Sequence, residues 1–295
     1  MKALALILAA AAGAAAAQSY PTKPIRLVVP CQEMYIENKG GGGGNVAMAD
    51  VAHAEPEGYT LIIGHVGSLA MTPFIEKNLG YDVNRDFAAV SLLAKVPNIF
   101  VVHESVPAKN LREFVALAKR EPGKLNYGSA GNGSAGHLAM EYLKLVTGVD
   151  IQHVPYKGTG PNLIDLVAGR TQATSAGTPP LMPHVKSGKL RVIAVGTPKR
   201  LPSMPDVATV AEQGYPGFET SQWYGLNAPA KTPPAIIKRL ADEAAKGAKT
   251  PALLQRFAAE DAEAVGSSPQ EYAEFIAKEQ ARWKEVIERA HVKAD

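Results

Sequence analysis

The sequence is poor in cysteine and has no clustered positive charge. Cys31 is the one cysteine among 295 residues, which excludes an intrachain disulfide framework and a cysteine-based zinc cluster. Thirty-one Lys and Arg residues against 28 Asp and Glu residues give a formal net charge of +3. A nucleic-acid-binding surface needs clustered Lys and Arg to follow the phosphates. We therefore expect no nucleic-acid partner.

Long apolar runs and metal-binding motifs are also missing. After residue 17 no stretch of the sequence approaches the ~18 consecutive apolar residues of a membrane-spanning helix. The seven histidines include no His-x-x-x-His or His-Glu-x-x-His spacing, so the sequence predicts no metal site and no cofactor. The hydrophobic fraction of 46% is that of a globular chain, which excludes general disorder.

The N-terminus has the pattern of a secretory signal. Lys2 precedes a short run of Ala, Leu and Ile, and Ala15 and Ala17 form an Ala-x-Ala end. This pattern predicts a signal peptide at 1–17, cleaved before Gln18, and a periplasmic protein. A buried helix or a membrane anchor is the alternative interpretation of the same run.

Short apolar runs alternate with segments of helical periodicity along most of the chain. This alternation predicts an α/β fold with mainly parallel sheets flanked by helices. The predicted strands are 24–30, 34–37, 59–64, 87–95, 98–103, 125–128, 152–155, 171–176, 190–195 and 219–227. The predicted helices are 46–54, 110–120, 134–146, 160–168, 179–185 and the chain from 233 onward, interrupted near 250 and 268.

The order of these elements predicts two lobes joined by two extended crossings. The chain leaves the first lobe after the run near His103 and re-enters it near Tyr224. Lobe one then comprises 18–104 and 224–295, and lobe two comprises 105–223. Two crossings of this kind form a hinge.

The sharpest chemical motif is the segment from Gly128 to His137, which follows a strand and opens a helix. The first turn of a helix has free N–H groups and a partial positive charge, which suits a carboxylate. The candidate ligand contacts in this segment are Ser129, Asn132, Gly133, Ser134 and His137. A capped turn without a ligand and a nucleophilic Ser134 are the alternatives, although the sequence around Ser134 lacks the first Gly of Gly-x-Ser-x-Gly.

Four further residues lie where ligands bind in open α/β sheets, at the ends of strands. Ser68 follows the strand at 59–64, and Thr159 opens the helix after the strand at 152–155. Thr178 and Trp223 could line the cleft, and Trp223 could equally belong to the core. The glycine run 40–44 lacks the Lys of a phosphate-binding loop, so it predicts a tight turn with Asn45 as the helix cap.

Several of these segments resemble one known family. The segments are PEGYTLIIGHVGSLA, LNYGSAGNGSAGHLAMEYL, VPYKGTGP and WYGLNAPAKTP. Together they resemble the Bug (TctC-like) extracytoplasmic solute receptors of tripartite tricarboxylate transporters. The resemblance implies a periplasmic binding protein with two type II-like α/β lobes, which close on a small carboxylate without catalysis. It also implies membrane transporter subunits as partners, and we expect a monomer.

The resemblance assigns the motifs to the two sides of the cleft. Ser68 matches the family's loop in lobe one. Ser129, Asn132, Ser134 and His137 match the loop in lobe two. Di- and tricarboxylates and aromatic acids are the expected ligand classes.

The chain departs from the family pattern after Pro30. The family continues with an aromatic residue, Pro-Gly-Gly and a helix, whereas this chain continues from Cys31 to Asn38 directly. A parallel crossover normally needs a dozen or more residues, and the missing helix covers one face of lobe one. We expect exposed apolar surface there. A non-binding remnant is therefore one alternative to a receptor, and an exported hydrolase using Ser134 or His137 is another.

Overall fold

The computed structural model describes residues 36, 37, 39 and 44–290. The predicted signal peptide, the strand at 24–30, most of the strand at 34–37 and the link at Cys31 lie outside these residues. All elements named below belong to one unit of the chain, Gly41–Asp295.

The described elements follow the predicted alternation closely. The strands are β1 (Ile62–His65), β2 (Phe87–His103), β3 (Asn126–Ser129), β4 (Gln152–Pro155), β5 (Ala173–Gly177), β6 (Leu190–Val195), β7 (Ser221–Pro229) and β8 (Glu263–Ala264). The α-helices are α1 (Asn45–Ala52), α2 (Val83–Asp86), α3 (Leu111–Arg120), α4 (Ala135–Thr147), α5 (Thr159–Val167), α6 (Thr178–Lys186), α7 (Pro234–Gly247), α8 (Pro251–Ala259) and α9 (Pro269–Ala290). A π-helix (Gly67–Met71) and a 3-10 helix (Thr72–Phe74) follow β1.

Local sequence signals account for several helix starts. The side chain of Asn110 accepts a hydrogen bond from the Glu113 amide at 2.9 Å and caps α3. Ser268 and Glu271 form a capping box at α9, as expected for Ser before Pro and a Glu in the first turn. The cap of α1 is Gly44 with a left-handed backbone, so the prediction of Asn45 as the cap was wrong. A glycine adopts that φ at little cost.

Strand β2 extends through both lobes. Its residues from Phe87 to Pro97 pair with β7, and those from Asn98 onward pair with β5 and β6. The prediction of two strands broken at Pro97 was wrong, because the strand continues past the proline. Pro97 is the last residue paired with β7, so its missing N–H falls where the strand changes partner.

The pairings define two sheets. In lobe one, β7 lies between β1 and β2, and β8 pairs with β2. In lobe two, β2 lies between β5 and β6, and β3 lies between β5 and β4. The two-lobe α/β architecture is confirmed.

The expectation of mainly parallel sheets does not match the described strands. In that part of the chain, the β3–β4 and β3–β5 pairs are parallel, and the pairs made by β2 and β7 are antiparallel. The parallel pairs arise where helices α4 and α5 connect strands. Strand β2 passes from the lobe-one sheet into the lobe-two sheet, and β7 runs in the opposite direction beside its lobe-one half. Each imposes antiparallel pairing on its neighbours.

Each lobe has an apolar core. In lobe two, Phe100, Tyr127 and Leu143 are buried between the sheet and its helices. In lobe one, the largest buried side chains are Trp223 and Trp283. Ala135 and Leu138 of α4 join the lobe-one core, so the start of this lobe-two helix packs against lobe one.

Exposed apolar side chains lie around β1 and α1. Tyr59 is 70% exposed, Ile63 on β1 is 47% exposed and Val46 on α1 is 44% exposed. Among the described helices, none combines the length and the apolar character needed to cross a membrane.

Candidate ligand-binding site

The turn between β3 and α4 is a capped, glycine-rich loop. Ser134 has an extended backbone, and its Oγ accepts a hydrogen bond from the His137 amide at 3.3 Å. The amide of Ser134 in turn donates to the Gly131 carbonyl at 3.1 Å. Gly131 and Gly133 have φ values of 119° and 70°, in the region that only glycine adopts readily. The loop therefore directs the first turn of α4 in a fixed orientation.

Ser129 is fully buried beneath this loop. Its Oγ accepts a hydrogen bond from the Gly131 amide at 3.1 Å and lies 2.7 Å from Nε2 of His153. The hydroxyl is engaged within the turn, and the structure gives no support to a direct ligand contact by Ser129.

Two histidine rings stack under the same loop. The centroids of His137 and His153 are 4.1 Å apart with an interplanar angle of 16°, and Tyr127 stacks on His153 at 4.8 Å. Nδ1 of His137 accepts a hydrogen bond from the Gly133 amide at 3.1 Å. Burial, together with the charge of Lys144, lowers the pKa of His137 to about 4. His137 is therefore neutral at neutral pH.

His153 and Tyr127 escaped the sequence reasoning, which treated His153 as an ordinary surface or capping histidine. Their signal lies in the strand register, because Tyr127 on β3 is opposite His153 on β4. Residues opposite one another on neighbouring strands share a face of the sheet. The pairing of β3 with β4 therefore brings both rings under α4.

The lobe-one loop has its own buried hydrogen bonds. Ser68 is 1% exposed, and its Oγ donates to the His65 carbonyl at 3.3 Å. Nδ1 of His65 accepts a hydrogen bond from the Gly67 amide at 3.0 Å. Tyr81 donates its hydroxyl to the Ser68 carbonyl at 2.9 Å. The Ser68 hydroxyl thus bonds within its own loop. His65 and Tyr81 both hold this loop by hydrogen bonds.

The two predicted loops lie against each other. A Cβ atom on Gly67 would be 3.4 Å from the Gly133 carbonyl oxygen, and a Cβ atom on Gly133 would be 3.6 Å from Oγ1 of Thr72. The structure therefore brings the lobe-one loop at Ser68 next to the start of α4 in lobe two. Only small residues permit this approach of two backbones.

A second loop of lobe two lies beside the first. The amide of Tyr156 donates to the Ser129 carbonyl at 3.1 Å, and the amide of Gly158 donates to the Ala130 carbonyl at 3.2 Å. Thr159, the first residue of α5, is half-buried next to these contacts. Asn132 is exposed at the tip of its loop. The loop that leads into α5 at Thr159 therefore lies against residues 129–131.

Thr178 and Trp223 have structural partners instead. Thr178 is fully buried and donates its hydroxyl to the Glu260 carbonyl at 2.6 Å. Trp223 is fully buried, and its Nε1 donates to Oε2 of Glu279 at 2.9 Å. Trp223 is a core residue, and the structure gives no support to the expectation that either side chain lines the cleft.

Sequence reasoning also did not single out two buried polar side chains where β2 enters lobe two. Asn98 and Ser175 are 1% and 2% exposed, and within the described chain Oδ1 of Asn98 and Oγ of Ser175 have no hydrogen-bond partner. The carbonyl of Ser175 lies directly under Gly136 at the start of α4. Buried polar atoms of this kind normally bond to protein, water or ligand.

The residues that the structure describes include no group of three His, Cys, Asp or Glu side chains arranged to bind a metal.

One protein-family model matches nearly the whole chain. The model described as "Tripartite tricarboxylate transporter family receptor" matches residues 29–292. The chain belongs to this family, TctC. The members of this family are substrate-binding receptors.

Curated and solved TctC-like proteins match along nearly all of the chain. BugT of Bordetella pertussis (strain Tohama I) is 31% identical over 97% of this chain and 96% of its own length. The structure of R. palustris Rpa4515 with adipate has 34% identity and a TM-score of 0.85, over 93% of this chain and 99% of that chain.

Two further solved structures give the same picture. MatC (Rpa3494) from Rhodopseudomonas palustris with bound malate has 32% identity and a TM-score of 0.79, over 85% of this chain and 87% of that chain. The periplasmic binding protein BugD has 31% identity and a TM-score of 0.82, over 88% of each chain. Relatives of this TctC protein are thus periplasmic binding proteins.

The BugT match also bears on the segment that the sequence lacks. It runs over 313 residues, more than the 295 of this chain, so BugT has residues without a counterpart here. That difference agrees with the predicted loss of a family segment. The predicted position of the loss, after Pro30, lies outside the described residues.

Proposed function

We propose that this TctC protein is an exported receptor that captures a small dicarboxylate between its two lobes, without catalysis, and delivers it to transporter subunits in the membrane. The observation that carries the proposal is the approach of the Gly67 loop to the Gly133 turn at the start of α4. The relatives support the ligand class, because Rpa4515 has adipate bound and MatC has malate bound.

One carboxyl group binds at the first turn of α4. A helix N-terminus offers backbone N–H groups and a partial positive charge, so it holds an anion without an Arg side chain. Asn132 at the tip of the loop and Thr159 on the adjacent helix add polar side chains. The loop from Gly67 to Thr72 contacts the carboxylate from lobe one.

Ser68 and Ser129 shape the site without touching the ligand. Both hydroxyls bond within their own loops, to the His65 carbonyl and to the Gly131 amide. Their small size and buried hydrogen bonds keep the backbone N–H groups of the two loops in place. Ser175, whose carbonyl lies under Gly136, and Asn98 on β2 each have a buried unpartnered polar atom, and both are further candidate contacts.

The hinge lies where β2 changes sheet and where the chain re-enters lobe one at the start of β7. Strand β2 changes partners at Pro97 and Asn98, and β7 begins at Ser221. We place the lobe boundaries there, instead of at 104 and 224. Ligand binding favours the closed form by the contacts that only the closed form makes.

Neither side chain of the hydrolase alternative forms a nucleophile–base pair in this structure. Oγ of Ser134 bonds the His137 amide, and Nδ1 of His137 bonds the Gly133 amide. A serine nucleophile requires a base within hydrogen-bond reach of its hydroxyl. The remnant alternative is not favoured either, because the described residues form both sheets and their cores.

A thermal-shift screen of the chain from Gln18 to Asp295 tests the proposal. The panel contains adipate, malate, citrate, benzoate and nicotinate, with the corresponding amides as uncharged controls. A bound acid at 100 times its Kd stabilises the folded state by about 2.7 kcal/mol, which raises Tm by about 5 °C.

The outcomes separate the alternatives. A shift with a dicarboxylate and none with its amide supports the receptor. A cooperative melt that no acid shifts contradicts it and favours the non-binding remnant. The signal peptide is checked separately, by the N-terminal mass of protein recovered from the periplasmic fraction, which we expect to begin at Gln18.

A further inference from the structure

The turn at 129–133, which precedes α4, is hydrogen-bonded at both ends to a pair of stacked histidines. At one end, Nε2 of His153 lies 2.7 Å from Oγ of Ser129. At the other end, Nδ1 of His137 accepts the Gly133 N–H. The two rings are 4.1 Å apart and nearly parallel. The pair therefore links both ends of the 129–133 loop through one rigid contact.

The hydrogen bond at Gly133 determines the protonation state of His137. An amide N–H donates, so Nδ1 of His137 must be an unprotonated acceptor and the proton of the neutral ring resides on Nε2. A second proton on this ring would replace the acceptor by a donor. The contact with Gly133 would then become a repulsion between two N–H groups.

The other groups around the pair do not replace this hydrogen bond. Tyr127 of β3 stacks on His153 and donates its hydroxyl to Glu141 of α4. Lys144 of α4 forms an ion pair with Glu141 at 2.7 Å and lies over the Tyr127 ring. The carboxylate of Glu141 is thus engaged by Tyr127 and Lys144, and its charge is balanced by the lysine.

The lobe-one loop repeats the arrangement. Nδ1 of His65 accepts the Gly67 N–H, and Gly67 approaches Gly133 across the two lobes. On each side of the approach, one glycine amide is bonded to a histidine ring nitrogen. The orientation of both loops therefore depends on unprotonated imidazole nitrogens.

We propose that His137 and His153 are positioning residues for carboxylate capture: the stacked pair fixes the 129–134 turn in the orientation that the α4 N-terminus needs, and does so only when His137 is neutral. This proposal rests on the proposed function for its effect on affinity. Its structural part, the fastening of the turn, stands independently. Neither histidine touches the carboxylate in this account.

Isosteric variants separate the hydrogen bond from the ring. His137→Asn places an amide oxygen near the position of Nδ1 and cannot be protonated near neutral pH. His137→Phe keeps an aromatic ring for stacking and removes the acceptor. His153→Gln and His153→Phe make the same pair of changes at the contact with Ser129.

The test combines binding and amide exchange. Calorimetry with adipate and malate measures Kd at pH 7.5 and pH 3.5, and NMR measures hydrogen exchange of the Gly133 amide. We expect His137→Phe to weaken binding roughly tenfold or more, because the partly buried Gly133 N–H loses its partner. We expect His137→Asn to stay within about threefold of wild type at pH 7.5, by the same argument.

At each pH we compare the Kd of wild type with the Kd of His137→Asn as a ratio. The ratio is needed because the carboxylates of the acids themselves protonate near pH 4. Lowering the pH to 3.5, below the folded-state pKa of about 4 for His137, weakens wild-type binding more than His137→Asn binding. Identical pH profiles for the two proteins overturn the proposal. So do equal affinities and equal Gly133 exchange rates in wild type and His137→Phe.

Failure of the proposed function gives a different pattern. In that pattern neither acid binds wild type, while the Gly133 amide exchanges faster in His137→Phe than in His137→Asn. That result would show that His137 fixes the turn, and that the carboxylate site proposed at the start of α4 is wrong. Thermal melts check that each variant folds. Should either Phe variant unfold, the His137→Asn pH profile and the His153→Gln exchange rates still decide the proposal.

Discussion

Gly67 of lobe one and Gly133 of lobe two lie so close that a Cβ atom on Gly67 would be 3.4 Å from the Gly133 carbonyl oxygen. The two residues belong to the two loops that the sequence predicted as ligand loops from opposite lobes. Their approach places the start of α4 beside lobe one. A small carboxylate held there contacts both lobes at once, which is the condition for ligand-driven closure.

The first prediction concerns that approach. In Gly67→Ala the new methyl group would meet Cε1 of His65 at 2.5 Å and crowd Gly133, so we expect adipate affinity to fall roughly tenfold, the loss of about one hydrogen bond. Gly247→Ala is the matched control, since a Cβ atom there meets nothing within 4 Å. Equal Kd values for the two variants in calorimetry would show that the loops need not approach.

The second prediction separates helix capping from ligand binding. Ser134→Ala and Asn110→Ala each remove a side-chain cap, from α4 and α3, and each should lower the free energy of unfolding by about 1 kcal/mol. Only Ser134→Ala should also weaken adipate binding, because it loosens the first turn of α4. Urea unfolding and calorimetry measure the two effects, and an equal change of Kd in both variants speaks against the site.

The third prediction concerns Trp223 as a core residue. Trp223→Phe removes the donor to the buried carboxylate of Glu279, which also pairs with Arg282 at 2.8 Å. We expect the free energy of unfolding to fall by about 1–3 kcal/mol, the cost of a buried charged group that loses a partner. The Kd for adipate should stay unchanged. A large rise in Kd with unchanged stability would place Trp223 in the cleft after all.

The fourth prediction concerns stability against pH. Because the pKa of His137 is about 4 in the folded protein, below its ordinary value of 6.5, the unfolded chain binds more protons between these values. His137 therefore contributes its full stability above pH 6.5 and loses it as the pH falls toward 4. The loss amounts to about 3 kcal/mol.

Urea unfolding of wild type and His137→Asn at pH 7.5 and pH 4 measures this loss, since the asparagine does not titrate in that range. The wild type should lose more stability than the variant. Parallel pH profiles would mean that His137 is not held neutral by its surroundings.

The sequence was a good guide where the signal is local. Ser134, Asn110 and Ser268 mark helix starts because each side chain bonds an amide only a few residues away. The strand break predicted at Pro97 was wrong. A proline removes one N–H donor, but the sequence does not tell whether a neighbouring strand needs that donor. The strand continues there and changes partner instead.

The candidate site was predictable as a place, but less so as a set of contacts. The glycine-rich turn and the Ser68 loop were recognised, and the structure brings them together. The inward direction of the Ser68 and Ser129 hydroxyls was not foreseeable, because it depends on partners that the fold brings close, such as His153. His153 reaches Ser129 through the register of β3 and β4, which is a long-range property of the sheet.

Binding of a carboxylate at the start of α4, facing lobe one, can be observed residue by residue in an amide NMR titration with adipate, or with the acid that gives the largest thermal shift. We expect the largest shifts at Gly67 and at the amides from Gly133 to His137. The amides at the start of α3, from Leu111 to Glu113, serve as a comparison helix N-terminus and should not move. Saturable shifts elsewhere, with the Gly133–His137 amides unmoved, would show that the carboxylate does not bind at the start of α4.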